Sequence, residues 1–220
     1  MMEYLPAVEQ EPKQAAKAAI IWLHGLGADG HDFASIAPEL HIPDDLAVRF
    51  IFPHAPKMPV TINNGYVMPA WYDILEMSLE RKVDVAQLEA SSQAIADLID
   101  REIARGIPSE KIILAGFSQG GAVAYQCGLS YAKPLAGILA LSTYFATAET
   151  IETHAANDDI PVHIFHGTKD PVVPEFLGQQ ARDVLKHMGY KCTYRTYPME
   201  HSVVMEEIED IGKEIIALLS

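Results

Sequence analysis

The sequence predicts a single α/β domain, a mainly parallel sheet with helices on both faces. Three observations predict it. Short β-type runs alternate with stretches of helical periodicity, which is the pattern of parallel strands joined by crossover helices. One apolar run passes straight through Gly116-Phe117-Ser118-Gln119-Gly120 into a helical stretch. The 220 residues hold no long polar linker and no fixed-period repeat, so residues 1–220 fit one domain.

The elements follow in chain order. Ala18–Leu23 is a compact apolar run ending at His24-Gly25 and reads as a buried strand. Residues 47–52, closed by Pro53, read the same way. Residues 83–105 place Val85, Leu88, Ile95, Leu98, Ile99 and Ile103 at helical spacing, and Gly106 and Pro108 stop that helix. Residues 111–115 form a strand, 119–131 a helix, 135–141 and 160–165 further strands. Residues 175–188 form a helix ended by Gly189, and 191–197 alternate as the last strand. The final helix is expected to start near His201, with Val204, Ile208, Ile211, Ile215 and Leu219 on one face.

One segment breaks the alternation. Residues 54–80 carry Pro56, Pro59 and Pro69, with Asn64-Gly65 set between β-type triplets. Both turn residues tolerate positive φ, so a two-residue hairpin turn is predicted there. The segment is expected to be a lid-like excursion outside the sheet, because long inserted loops in compact domains often bind substrate.

Charge and composition exclude several classes. The formal net charge of -14 argues against nucleic acid, which needs concentrated Lys and Arg. It also argues against more than transient contact with an anionic membrane surface. Residues 1–19 lack a basic-then-apolar signal, and runs such as Ala18–Leu23 are far below the ~18 residues that span a bilayer. A cytoplasmic protein is expected. Cys127 and Cys192 are too few for a disulfide framework and read as small buried hydrophobes.

The chemistry centres on Ser118. A serine hydroxyl is a weak nucleophile and must be presented where a base can reach it. A sharp strand-to-helix turn does this, with flanking glycines that let the backbone pass. G-x-S-x-G arises by chance in about one chain of this length in fifteen. Context therefore decides: here it follows the strand Ile112-Ile113-Leu114-Ala115 and opens a helix at Gln119.

The acid and base should follow in the order Ser, Asp, His. Asp170 lies after strand 160–165, in His166-Gly167-Thr168-Lys169-Asp170-Pro171, and His201 lies after the last strand, in Pro198-Met199-Glu200-His201. Both are beyond carboxyl strand ends, where sites form in α/β sheets. Asp158, Asp159 and His154 precede their strand and lie at the wrong end. His163 and His166 are three apart on a strand and point to opposite faces, so no metal site is expected. An oxyanion hole needs two N–H groups. One is the amide after the nucleophile, Gln119; the other is expected from Leu26, in the loop His24-Gly25-Leu26-Gly27-Ala28-Asp29-Gly30. His24 reads as a brace for that loop. The apolar residues Met58, Val60, Val67, Met68, Trp71, Ile74 and Met77 suggest an acyl-binding surface.

With these residues in hand, the chain resembles the acyl-protein thioesterase, carboxylesterase and lysophospholipase family of α/β-hydrolases over nearly its whole length. The resemblance rests on residues 23–30, on Pro59-Val60-Thr61-Ile62, on Met68-Pro69-Ala70-Trp71-Tyr72-Asp73, on Gly116 to Gly121, on His166 to Val173 and on Glu200-His201. The 63–69 stretch is most similar to the bacterial branch. The resemblance implies catalytic roles for Ser118, Asp170 and His201, oxyanion amides at Leu26 and Gln119, and an acyl pocket shaped by 54–80 with Trp71 near the serine. The expected substrate-binding residues are Val67, Met68, Trp71, Phe117 and Val173. The expected reaction is cofactor-free acyl transfer on an ester or thioester. A homodimer through an apolar edge of the excursion is compatible with this reading. A lactone or sugar-ester hydrolase, or a silent binding scaffold, remains the alternative.

Overall fold

The computed structural model describes residues 4–77 and 81–220. In chain order these form β1 (Ala7–Gln10), β2 (Ala18–Leu23), α1 (His31–Ala34), β3 (Val48–Pro53), β4 (Lys57–Val60), β5 (Tyr66–Pro69), β6 (Ile74–Glu76) and β7 (Lys82–Val83). Then come α2 (Val85–Ala104), β8 (Ile112–Phe117), α3 (Gln119–Ser130), β9 (Gly137–Leu141), β10 (Val162–Gly167), α4 (Glu175–His187), β11 (Cys192–Tyr197) and α5 (Met205–Leu219).

Among the described residues, the main sheet has seven strands in the order β1-β3-β2-β8-β9-β10-β11. Every neighbouring pair is parallel except β1 with β3. Strands β2 and β9 are buried throughout, which explains their unbroken apolar runs: both faces are covered by helices. β3 is equally buried but carries Arg49, which is paired with Glu11 and Glu102. Alternation along each strand splits the core in two. Ile21, Leu23, Ile112, Leu114 and Ile138 face Leu88, Ile95 and Leu98 of α2 and Ala122, Val123 and Leu129 of α3. Ile20, Trp22, Ile113, Leu139 and Phe165 face Phe33 of α1 and Ile208, Ile211 and Ile215 of α5. The three-layer α/β architecture is the one the alternation predicts.

Three local readings are corrected. First, β1 was not anticipated. Its four residues are short and half-buried, and its place is fixed by charges from elsewhere in the chain. Arg101 and Arg105 reach Glu9 at 2.7 and 2.8 Å, while Arg49 and Arg105 reach Glu11 at 2.8 and 2.9 Å. Second, α5 begins at Met205 rather than near His201, and its N-cap is Val204. Third, the hairpin β4–β5 exists, but Val60 pairs with Tyr66, leaving residues 61–65 as a five-residue loop. Thr61 is drawn out of the strand because its N–H and hydroxyl both donate to the Asp73 carboxylate, at 2.7 and 2.5 Å. Asn64 (φ 57°) and Gly65 (φ 74°) do adopt the positive φ their types allow. Of the 54–80 excursion, β4 and β5 form one small sheet and β6 pairs with β7, just beyond the excursion, in another, both apart from the main one; residues 78–80 lie outside the described residues. No helix among the described residues is long and apolar enough to cross a membrane.

Candidate active site

The nucleophile turn is built by close backbone approach. β8 ends at Phe117, α3 begins at Gln119, and Ser118 sits between them at φ 54°, ψ -121°. A non-glycine residue there is strained and must be held by its surroundings. Ser118 N–H donates to the Leu141 carbonyl at 2.9 Å, and Thr143 Oγ1 donates to the Ser118 carbonyl at 2.5 Å. The flanking glycines are a steric necessity. A Cβ on Gly116 would lie 2.3 Å from the Gly120 carbonyl oxygen, and one on Gly120 would lie 2.6 Å from those of Leu23 and His24.

The carboxyl ends of β10 and β11 are drawn together in the same way. Thr168 N–H donates to the Tyr197 carbonyl at 2.9 Å and Lys169 N–H to that of Met199 at 3.1 Å. This brings the Asp170 turn against the His201 loop. His201 Nδ1 lies 2.6 Å from Asp170 Oδ2, and His201 Nε2 lies 3.0 Å from Ser118 Oγ. A carboxylate only accepts, so Nδ1 carries the proton and Nε2 is free to accept from the serine hydroxyl. The three residues predicted from strand ends thus form one continuous relay.

Asp170 is fixed from its other side. Its Oδ1 accepts the N–H groups of Val172 and Val173, both at 2.8 Å. Burial alone would push this carboxyl up. The hydrogen bond from His201 and the two backbone N–H groups outweigh burial and hold it below the usual aspartate value. The 172–173 backbone is itself braced: buried His166 donates through Nε2 to the Val173 carbonyl at 2.7 Å. Burial holds His166 below the usual imidazole value, which keeps it neutral.

The two expected oxyanion donors open onto the same space. Gln119 N–H is the first of α3 and has no carbonyl one turn earlier to bond within the helix. Leu26 lies in the turn after β2, pinned by Gly27 N–H to the Pro69 carbonyl at 2.8 Å. Behind it, His24 accepts the Ala55 N–H on Nε2 at 3.1 Å and directs Nδ1 to the Gly25 carbonyl at 2.7 Å. Burial depresses His24 and keeps it in that neutral form.

Ser118, Gln119, His201, Gly25 and Leu26 line one cavity of about 300 Å³, whose other walls are largely Phe117, Ile62, Ile74, Met77, Tyr144 and Val172. Of the expected substrate-binding residues, Phe117 lines this cavity and its ring packs 4.7 Å from that of His201. Trp71, Val67, Met68 and Val173 do not line it. Trp71 is fully buried behind the oxyanion turn, where its Nε1–H donates to the His24 carbonyl at 2.9 Å. Val67 points outward on the hairpin, Met68 accepts on Sδ from Asn63, and Val173 is buried under Asp170. Ile74 and Met77 of the apolar stripe do reach the cavity, whereas Met58 and Trp71 border a separate shallow hollow. Sequence reasoning missed Ile62, Tyr144, Val172, Asp32 and Arg81. Tyr144 follows the carboxyl end of β9, so the strand-end rule that found Asp170 would have found it too.

Asp29, His31 and His54 also approach one another, with candidate ligand atoms within 4.8 Å. His54 Nδ1 accepts the Gly30 N–H at 3.0 Å, so in the neutral ring Nε2 holds the proton and has no lone pair for a metal. Asp29 Oδ1 already accepts the His31 N–H at 2.8 Å. The donor set does not fit a bound cation.

The chain is similar to known proteins over nearly its whole length. The chain is 42% identical over 205 residues to acyl-protein thioesterase 1 of Neurospora crassa, covering 88% of this chain and 84% of that one. It is 38% identical over 232 residues to acyl-protein thioesterase 1 of Cryptococcus neoformans, covering 94% and 95%. The crystal structure of Zea mays acyl-protein thioesterase 2 superposes with a TM-score of 0.88 at 29% identity, over 99% of this chain and all of that one. That of Arabidopsis thaliana SOBER1 gives 0.87 at 31%, over 93% of this chain and all of that one. Residues 5–219 match the phospholipase/carboxylesterase model, and the chain, with its serine turn, its strand-end acid and base and its α/β-hydrolase sheet, belongs to that family.

Proposed function

We propose that this hydrolase cleaves carboxylic esters and thioesters of short-to-medium acyl groups through an acyl-enzyme on Ser118. The observation that carries this reading is the unbroken relay from Asp170 through His201 to Ser118, ending in a largely apolar cavity. The apolar lining favours a hydrocarbon acyl group over a sugar. The thioester half of the reading is supported by the relatives named acyl-protein thioesterases.

In this mechanism His201 Nε2 takes the Ser118 proton as Oγ attacks the substrate carbonyl. The oxygen that becomes negative is met by the N–H groups of Leu26 and Gln119; one such donor is worth about 3 kcal/mol of barrier. Asp170 holds the imidazole in its Nδ1–H tautomer and offsets the charge of the imidazolium. The protonated His201 then gives its proton to the leaving alkoxide or thiolate. Water, deprotonated by the same nitrogen, attacks the acyl-serine and releases the carboxylic acid. The protein's own groups supply each proton transfer, so the reading requires no cofactor. A cytoplasmic location belongs to it, supported by two cysteines that are not paired with each other.

Hydrolysis of p-nitrophenyl butyrate and of a butyryl thioester, with Ser118→Ala beside the wild type, tests the reading. The variant should lose kcat by a factor on the order of 10⁶ while keeping its fold. Equal rates from both proteins, or no labelling of Ser118 by a fluorophosphonate, would overturn it.

A further inference from the structure

We propose that Arg81 sets the acyl-chain length of this reaction by walling the catalytic pocket off from a second compartment. The inference rests on the hydrolase reading above and concerns the far end of the same pocket.

Four observations carry it. Arg81 and Tyr144 line both the catalytic cavity and a neighbouring one of about 380 Å³. The second cavity is apolar along Val85, Phe145, Ala148, Leu177, Ala181 and Val184, with Lys82, Glu149, Thr150 and Gln180 among its remaining walls. The partition is a side-chain contact. The Arg81 guanidinium donates to the Val172 carbonyl and lies 4.8 Å over the Tyr144 ring. Finally, Arg81 sits at φ 36°, a conformation that disfavours any side chain and persists where tertiary contacts hold it.

The physical consequence is a pocket truncated by a charge. The catalytic cavity alone, about 300 Å³, stands at the lower bound of ordinary ligand pockets. It accepts an acyl group only until the chain meets the guanidinium, which a hydrocarbon tail cannot solvate. With the guanidinium gone, the tail gains the apolar lining of the second compartment. Each methylene buried there is worth a factor of about four in transition-state binding relative to water. If three further methylenes reach it, the gain is up to about sixtyfold, reduced by the ordering of the tail.

The test is kcat/KM for p-nitrophenyl esters from C4 to C12, read as the C12-to-C4 ratio. Arg81→Ala should raise that ratio at least about tenfold over wild type. Arg81→Gly, which also removes the guanidinium and its contact to the Val172 carbonyl and tolerates the positive φ, should raise it too and serves if the alanine variant is unstable. Adding Ala148→Trp, which fills only the second compartment, should return the ratio of Arg81→Ala towards wild type. An unchanged ratio, an equal loss at every length, or a raised ratio that Ala148→Trp leaves in place each overturns the partition. Wild type that fails to cleave the C4 ester would instead overturn the hydrolase reading itself.

Discussion

The backbone N–H of Trp71 donates to Oε1 of Gln119 at 2.8 Å, and Gln119 Nε2 returns a bond to the Tyr72 carbonyl at 2.6 Å. The residue after the nucleophile therefore does two jobs. Its backbone N–H is the proposed oxyanion donor, and its side chain clasps the segment behind the oxyanion turn.

Gln119→Ala separates those jobs. The amide remains, but a buried N–H and a buried carbonyl lose their partners at about 1–3 kcal/mol each. For a chain of this size that corresponds to a Tm lower by roughly 5–15 °C in calorimetry. Fluorophosphonate labelling of Ser118 should persist. A Tm within about 2 °C of wild type would refute the clasp.

Asp170→Asn tests the tautomer. Asn would offer a donor to His201 Nδ1 and favour the ring form that cannot accept from Ser118, so kcat should fall by about 10⁴. The depressed Asp170 carboxyl also contributes stability that is present above the ordinary carboxylate range, about pH 4, and is lost as pH falls through its lower folded value. The Tm gap between wild type and Asp170→Asn should therefore narrow on acidification below about pH 4. A constant gap would count against the bonded carboxylate.

Glu207 makes the opposite case. It is fully buried at the third position of α5, and burial pushes its carboxyl from 4.5 up to about 8, opposed in part by the nearby Val204 N–H. The folded state keeps a proton that the unfolded chain has lost, so stability falls as pH rises from about 4.5 to 8. Glu207→Gln cannot ionise. It should be near neutral at pH 5 and raise Tm by several degrees at pH 8.5, on the order of a few kcal/mol. Equal effects at both pH values would show that the charge is not what matters.

The cysteines should be inert. Burial pushes the Cys127 thiol up to about 12 and the Cys192 thiol up to about 11, leaving little thiolate at neutral pH. With iodoacetamide at pH 7.5, mass spectrometry should find Cys127 unmodified and Cys192 slowly modified until the protein is unfolded. Rapid native labelling of Cys127 would contradict its burial in α3.

What the sequence revealed followed from rules of position. Ser118, Asp170 and His201 were legible because each follows a recognisable apolar strand, and strand ends define one layer of an α/β fold. The core strands were legible because burial on both faces leaves continuous apolar runs. What stayed hidden depends on contacts between distant segments. Trp71 looks like pocket lining in the sequence, yet the Gln119 and His24 bonds turn it inward. Thr61 looks like strand, yet Asp73 captures it. Arg81 carries no local signal at all: its place in the wall exists only because Tyr144 and Val172, from two other loops, meet it.

The short strand β1 has a meaning for the behaviour of this protein in concentrated solution. β3 is buried along its whole length and apolar apart from Arg49, and Ala7–Gln10 covers the backbone groups of Phe50 to Pro53 on its outer side. Were β1 to peel away, those N–H and C=O groups would form an open template for strands of other molecules to add to, the first step of aggregation. At the opposite border, β11 exposes the polar Thr193 and Thr196, and its Arg195 is paired with Asp210 and Glu214 of α5. The arginines that grip Glu9 and Glu11 therefore also help keep that template closed.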